Sequence, residues 1–254
     1  MNSIVTIKDL SIQINSLPLV QNISFNINAG DAILLSGANG IGKSTILKSI
    51  LCLETDKKKI NGSIVVNGFD NILALGDDEL QRFRSSVAYV PQRDDFAVMG
   101  NIRVRDIISE SHQAFTGKML TDSEVNELID EWIPRKEDNH RVFDAKSKPG
   151  KFSGGQQRLL SVLSVIATRP KSGLFIIDEP LNNLDFANAR NISNIINKVI
   201  KENPQMGLLM VSHCRIFPFI TRELELTHNG INEVPNHYAC HSCFGRPDND
   251  GYYR

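Results

Sequence analysis

Gly37-Ala38-Asn39-Gly40-Ile41-Gly42-Lys43-Ser44-Thr45 fits the phosphate-binding pattern G-x-x-x-x-G-K-[ST], and its flanks give the pattern mechanical meaning. Upstream, Ala32-Ile33-Leu34-Leu35 is a short apolar run that reads as a buried strand. Downstream, Ile46-Leu47-Lys48-Ser49-Ile50-Leu51 reads as the first turns of a helix. Strand, glycine-rich turn and helix start set successive backbone N–H groups around a phosphate, with the positive end of the helix behind them. Asn39, Gly40, Gly42, Lys43, Ser44 and Thr45 are then the candidate nucleotide contacts. Lys43 would reach the β- and γ-phosphates, and the Ser44 hydroxyl would ligate Mg²⁺. The competing reading is a glycine-serine surface turn, against which both flanks argue.

The chain has 254 residues, enough for one large domain or two small ones with a sizeable core. Its 41% apolar and 22% charged content is that of an ordinary folded protein. A formal net charge of -1 gives no general reason to expect nucleic-acid binding. No apolar run approaches the roughly 18 residues of a membrane-crossing helix. Met1 to Thr6 begins like a strand, without the basic-then-apolar layout of a signal peptide, so the expected location is the cytoplasm. Membrane association would go through a partner or the surface. Cys52 and Cys214 lie in apolar patterns and read as core thiols.

Ile4 to Ile14 and Ile23 to Ile27 alternate apolar and polar residues, which predicts two strands joined by a turn at Asn15-Ser16-Leu17-Pro18. Ile64-Val65-Val66, followed by Asn67-Gly68, predicts a strand ending in a tight turn. Antiparallel strands therefore precede and interrupt the first βα unit. Residues 79 to 85 read as a short polar helix, and Val87 to Val90 as a strand stopped by Pro91. The stretch from roughly 101 to 143 looks helical: Thr121-x-x-Glu124 is a capping box, with Val125, Leu128, Ile129, Trp132 and Ile133 following at helical spacing. Residues 93 to 150 read as an inserted helical subdomain. Leu159 to Ala167 predicts a helix buried on most sides, and residues 186 to 201 one with an isoleucine-rich face. Leu174 to Ile177 and Gly207 to Val211 are continuous apolar runs of the kind central parallel strands need. The expected fold is α/β, a mostly parallel central sheet with an N-terminal antiparallel β-subdomain.

The strand at Leu174 ends in Asp178-Glu179-Pro180. A carboxylate at the end of a parallel strand beside a phosphate loop is placed to hold the Mg²⁺ shell, which suits Asp178. Glu179, one residue on, could take a proton from water attacking the γ-phosphate. Two acids at a strand end are otherwise a common solvated turn. Phe152-Ser153-Gly154-Gly155-Gln156 adds a hydroxyl and two small residues at the start of a helix near Gln156, a second anion site.

With these motifs the chain resembles the nucleotide-binding domains of ATP-binding cassette proteins, P-loop NTPases whose signature Leu-Ser-Gly-Gly-Gln appears here with Phe152 first. The resemblance covers most of the chain. It implies Asp178 as the Mg²⁺-associated acid, Glu179 as the catalytic glutamate, Gln92 of Tyr89-Val90-Pro91-Gln92 as the glutamine-loop residue that senses metal or water, and His213 as the switch histidine. Asn182-Asn183-Leu184-Asp185 resembles the loop, centred on Asp185, that crosses between subunits. It also implies head-to-tail pairing, in which Ser153, Gly154, Gly155 and Gln156 cover the γ-phosphate held by the other domain.

Three positions depart from the family pattern. Ile14 stands where an aromatic residue stacks on adenine, so the base meets apolar contact without a ring. Cys214 follows the histidine where an acid is frequent, and after the signature Arg158 is followed by Leu159 and Leu160. The implied cofactors are ATP and Mg²⁺. The implied partners are a second cassette, identical or paralogous, and multi-span membrane subunits docking near residues 93 to 105, where Met99, Ile102 and Val104 would form an apolar rim. Residues 1 to 235 form the expected ATPase domain, and 236 to 254 a tail in which His237, Cys240, His241 and Cys243, with His228 upstream, hold at most a weak zinc pattern. The expected function is an ATPase that powers transport. A soluble cassette acting on DNA or the ribosome, or a regulatory nucleotide-binding module, are the other readings.

Overall fold

The computed structural model describes residues 3–53, 58–66, 68–92, 96, 101–136, 138–166, 172–182, 184–214 and 217–235. The tail cluster at 237 to 243 and Met99 therefore lie outside the described residues.

Strands β1 (Ser3–Ile14), β2 (Leu17–Asn28), β4 (Lys58–Val66) and β5 (Phe69–Asn71) form an antiparallel sheet in the order β2-β1-β4-β5. The first turn is shorter than the sequence suggests. Asn15 and Ser16 alone make it, both left-handed at φ 49° and 67°, as a two-residue hairpin requires. Leu17 and Pro18 already belong to β2, and proline is tolerated there because β2 is an edge strand. β4 begins six residues before the apolar run that predicts it. Its Asn61-Gly62 pair reads locally as a turn but sits opposite a register shift in β1 between Lys8 and Ser11. Gly62 has φ +102°, and a Cβ there would stand 2.6 Å from the carbonyl oxygens of Lys8 and Asp9. The close backbone approach excludes any side chain.

The second sheet has the order β10-β9-β3-β8-β7-β6. It contains β3 (Ala32–Gly37), β6 (Val87–Val90), β7 (Leu174–Asp178), β8 (Gly207–Val211), β9 (Arg222–Thr227) and β10 (Gly230–Val234). β9 lies parallel to β3, and β10 closes the edge antiparallel to β9. Neither β9 nor β10 was expected. Both faces of the central strands are covered, which is why they read as unbroken apolar runs. Ala32, Leu34, Phe175, Ile177, Leu208 and Met210 face one core, while Ile33, Leu35, Leu174, Ile176, Leu209 and Val211 face the other. Each fully buried aliphatic side chain contributes roughly 1.5–3 kcal/mol.

The antiparallel sheet and α1 (Lys43–Ile50) cover the second face, with α2 (Asp77–Ser86) supplying buried Phe83. The first face carries α3 (Val104–Thr116), α4 (Asp122–Trp132), α5 (Gly154–Ile166) and α6 (Phe186–Glu202). The expected capping box opens α4: the Thr121 hydroxyl accepts from the Glu124 amide, and Glu124 accepts from the Thr121 amide at 2.8 Å. Lys118 and these cap bonds hold the Glu124 carboxyl down at about 2. Val125, Ile129, Trp132 and Ile133 are buried, and the Lys198 ammonium of α6 sits 4.1 Å from the centre of the Trp132 ring. Val104 corrects an expectation. It is 0% exposed in this core and is no part of a rim, because α3 starts there and turns it inward; Ile102 is half-buried. Among the described residues no helix is long and apolar enough to cross a membrane.

Candidate functional site

Four neighbouring parallel strands, β3, β8, β7 and β6, end on one side of the sheet, and each hands a residue to the same opening. β3 runs out into the glycine-rich loop, β6 into Pro91-Gln92, β7 into Glu179 and β8 into Ser212-His213. Carboxyl ends of parallel strands are where open α/β sheets collect ligands. The opening holds a cavity of about 470 Å³ lined by Asn39, Gly40, Gly42, Lys43, Ser44, Thr45, Gln92, Glu179, Asn182 and His213.

The loop places its donors through glycine geometry. Gly42 precedes α1 with φ +114°, and a Cβ on it would come 2.9 Å from Cγ2 of Val20. Glycine is required there on both counts. Lys43 opens the helix, only 7% exposed, and its ammonium donates to the carbonyls of Gly37 (2.9 Å) and Ala38 (3.0 Å). It closes the loop on itself and holds a positive charge beside the amides.

Ser44 Oγ donates to Asp178 Oδ1 at 2.9 Å, joining the loop to the end of β7. Asp178 is completely buried, and its Oδ2 has no hydrogen-bond partner. Burial pushes its carboxyl above the ordinary value, while the Ser44 bond and the charges of Lys48, Arg158 and Lys43 pull the other way. A hydroxyl and an orphaned buried carboxylate oxygen are hard oxygen donors of the kind Mg²⁺ takes, so this pair fits that ion. The Gln92 side chain, on the cavity wall, is the third candidate.

Glu179 is the strained residue of the site. Its φ of +49° is left-handed without being glycine, a conformation that persists only where the surroundings over-determine it. Its amide donates to the Val211 carbonyl at 2.9 Å, which ties it to β8. Its Oε1 lies 3.1 Å from Nε2 of His213, and its Oε2 accepts from the His213 amide at 3.3 Å. The carboxylate is 7% exposed and the imidazole 57%, so the pair couples a buried acid to a group open to the cavity. A carboxylate so held can accept a proton from water, and the imidazole can orient the acid or donate to an oxyanion.

The signature residues stand elsewhere. α5 begins at Gly154, two residues before the expected start. Ser153 caps it by a reciprocal box, its Oγ accepting from the Gln156 amide while the Gln156 side chain accepts from the Ser153 amide at 3.0 Å. None of Ser153, Gly154, Gly155 and Gln156 lines the cavity, nor do Asp185 and Ile14. Asp185 caps α6, accepting from the Asn188 amide at 2.8 Å, and also binds the Asn188 side-chain amide. A Cβ on Gly155 would stand 2.4 Å from that amide nitrogen, so the signature helix and the Asp185 turn are packed in direct contact. Ile14 ends β1 at the hairpin tip, paired with Leu17, which is 71% exposed. Two residues escaped the sequence reading as parts of the site. Asn182, named in the sequence only as part of the loop centred on Asp185, reaches the cavity wall because it follows Glu179-Pro180-Leu181 round the turn. Asn188 has no local signal at all.

A family model for ABC transporter matches residues 20–182. The oligopeptide transport ATP-binding protein OppF of Streptococcus mutans is 28% identical over 219 residues, 85% of this chain and 67% of that protein. The lipoprotein-releasing system ATP-binding protein LolD of Bdellovibrio bacteriovorus is 29% identical over 212 residues, covering 81% of this chain and 87% of the relative. Among solved structures, the dimeric structure of MJ0796, a bacterial ABC transporter cassette, superposes with TM-score 0.73 at 21% identity, covering 92% of this chain and 99% of that one.

Proposed function

This chain belongs to the ABC transporter family, and from that premise we propose that Glu179, His213, Lys43 and Gln92 hydrolyse ATP in the cavity to drive transport through membrane subunits carried on other chains. The family supplies the class: an ATPase that uses ATP with Mg²⁺ to power transport. Transfer of a γ-phosphoryl group to water needs little covalent help from the protein, so the residues act by position and charge. Lys43 and the loop amides receive the β- and γ-phosphates, Lys43 leaving its own loop carbonyls to do so. Glu179 takes the proton from the attacking water, and His213 fixes the Glu179 carboxylate and faces the γ-phosphate. Ser44, Asp178 and Gln92 would hold Mg²⁺, which when bound neutralises charge on the phosphates.

The 3.1 Å Glu179–His213 contact, opening onto the Lys43 loop, carries this reading. Since Ser153 to Gln156 and Asp185 stand outside that cavity, the reading extends to a second cassette, whose signature would complete the site head to tail. The adenine would meet aliphatic surface at Ile14. The stretch 93–150 is read as the helical subdomain that receives the membrane subunits, within one ATPase domain over 1–235. Glu179→Gln keeps the size of the side chain and removes the base, so turnover should fall roughly 10²–10³-fold while ATP remains bound. Light scattering should then find an ATP-dependent dimer of that variant. Turnover within a few-fold of wild type would remove Glu179 from its role.

A further inference from the structure

Both neighbours of the strained Glu179 are held by one buried arginine. Arg158, on the second turn of α5, is 8% exposed. Its Nη2 donates to the Asp178 carbonyl at 2.9 Å and its Nε to the Pro180 carbonyl at 3.1 Å, so the planar guanidinium spans the Glu179 peptide from both sides. Its Nη1 donates to the carbonyl of Pro91, the residue before Gln92. Three carbonyls from two main-chain segments that feed the cavity, 178–180 and Pro91, thus converge on a side chain that does not line it. The left-handed φ of Glu179 needs such a constraint, and a rigid fork of donors is what arginine supplies and lysine does not.

We infer that Arg158 is a positioning residue that holds Glu179 in its reactive conformation and locks it to the Gln92 loop and to the signature helix. Displacement of α5 by a second cassette, or of the Gln92 loop by a membrane partner, then reaches the Glu179 carboxylate through one guanidinium. A tilt of α5 that lifts the fork off Asp178 and Pro180 would let Glu179 relax towards ordinary backbone geometry and withdraw its carboxylate. This rests on the proposed role of Glu179 as the base.

The test compares wild type, Arg158→Lys and Arg158→Met as full chains. Steady-state ATP hydrolysis with Mg²⁺ is measured together with amide hydrogen exchange. Arg158→Lys keeps the charge and is the variant that decides if Arg158→Met does not fold. The expected result for Arg158→Lys is a kcat lowered about tenfold or more with KM changed less than about twofold, because the nucleotide contacts are untouched. Exchange should quicken about tenfold in peptides carrying Gln92 and Glu179, and stay unchanged in the β1–β2 hairpin. A wild-type kcat in Arg158→Lys, or faster exchange spread evenly over the chain, overturns the inference. A wild-type chain that hydrolyses no ATP sinks the ATPase reading instead, and the exchange data then decide by themselves whether Arg158 locks the two segments.

Discussion

Two of the open cavities among the described residues are comparable in kind and very different in content. The larger, about 690 Å³, lies where the edge of the antiparallel sheet meets α2, among Ser3, Thr6, Val65, Phe69, Asp70 and Glu79. The smaller, about 470 Å³, lies at the ends of four parallel strands. In the larger one the polar groups answer each other, as in the 2.9 Å contact of the Ser3 and Thr6 hydroxyls. Among the described residues no lysine or histidine lines it. In the smaller one, a lysine, a histidine, a strained glutamate and a glutamine come from four separate segments. Volume therefore does not locate the chemistry; convergence of chain segments that a single strand order brings together does.

The widest gap between the two should open with Lys43→Ala. Removing the ammonium takes fixed positive charge from the phosphate end, so turnover should drop roughly 100-fold or more and ATP affinity should weaken. Calorimetry with Mg²⁺ checks the affinity, and an unchanged value would break the contrast. A smaller effect is expected for Asp178→Asn. Its buried Oδ2 becomes an amide or carbonyl without charge, so the Mg²⁺ concentration for half-maximal turnover should rise about tenfold. A magnesium titration at saturating ATP reads this directly. The least effect belongs to the larger groove. Thr6→Val with Glu79→Gln should leave kcat and KM within about twofold, because neither the half-buried Thr6 nor the exposed Glu79 lines the smaller cavity, and surface changes away from such features rarely move more than ~0.5 kcal/mol. A large loss there would mean the groove takes part in turnover.

Much of the central sheet could be read in advance because it is buried on both faces, leaving unbroken apolar runs at β3, β7 and β8. The phosphate loop, Asp178 and Glu179 could be singled out from their places at strand ends, whereas Gln92 and His213 were named mainly through the family resemblance, because a polar residue after a buried strand is common. β9 was hidden by its carboxylates: Glu223 is 1% exposed and Glu225, two residues on and on the same face, is exposed, so the strand looks like a solvated stretch. The first half of β4 was hidden by lysines and an Asn-Gly pair that faces a bulge in β1 instead of making a turn. Val104 was misplaced because a helix start gives no sign of which side meets the core. Arg158 was visible as a residue and opaque as a device, because its three carbonyl partners lie 20, 22 and 67 positions away.

Trp132 has a consequence for anyone who works with this protein in solution. It is the single tryptophan in the chain, 8% exposed on α4, with an ammonium from α6 against its face. Light at the red edge of protein absorption excites this indole alone. A cation over the ring shifts its emission, so any sliding of α4 against α6 changes the colour of the fluorescence. Because α6 starts at the Asp185 cap, the chain carries an unlabelled optical gauge between α4 and the turn that follows Glu179.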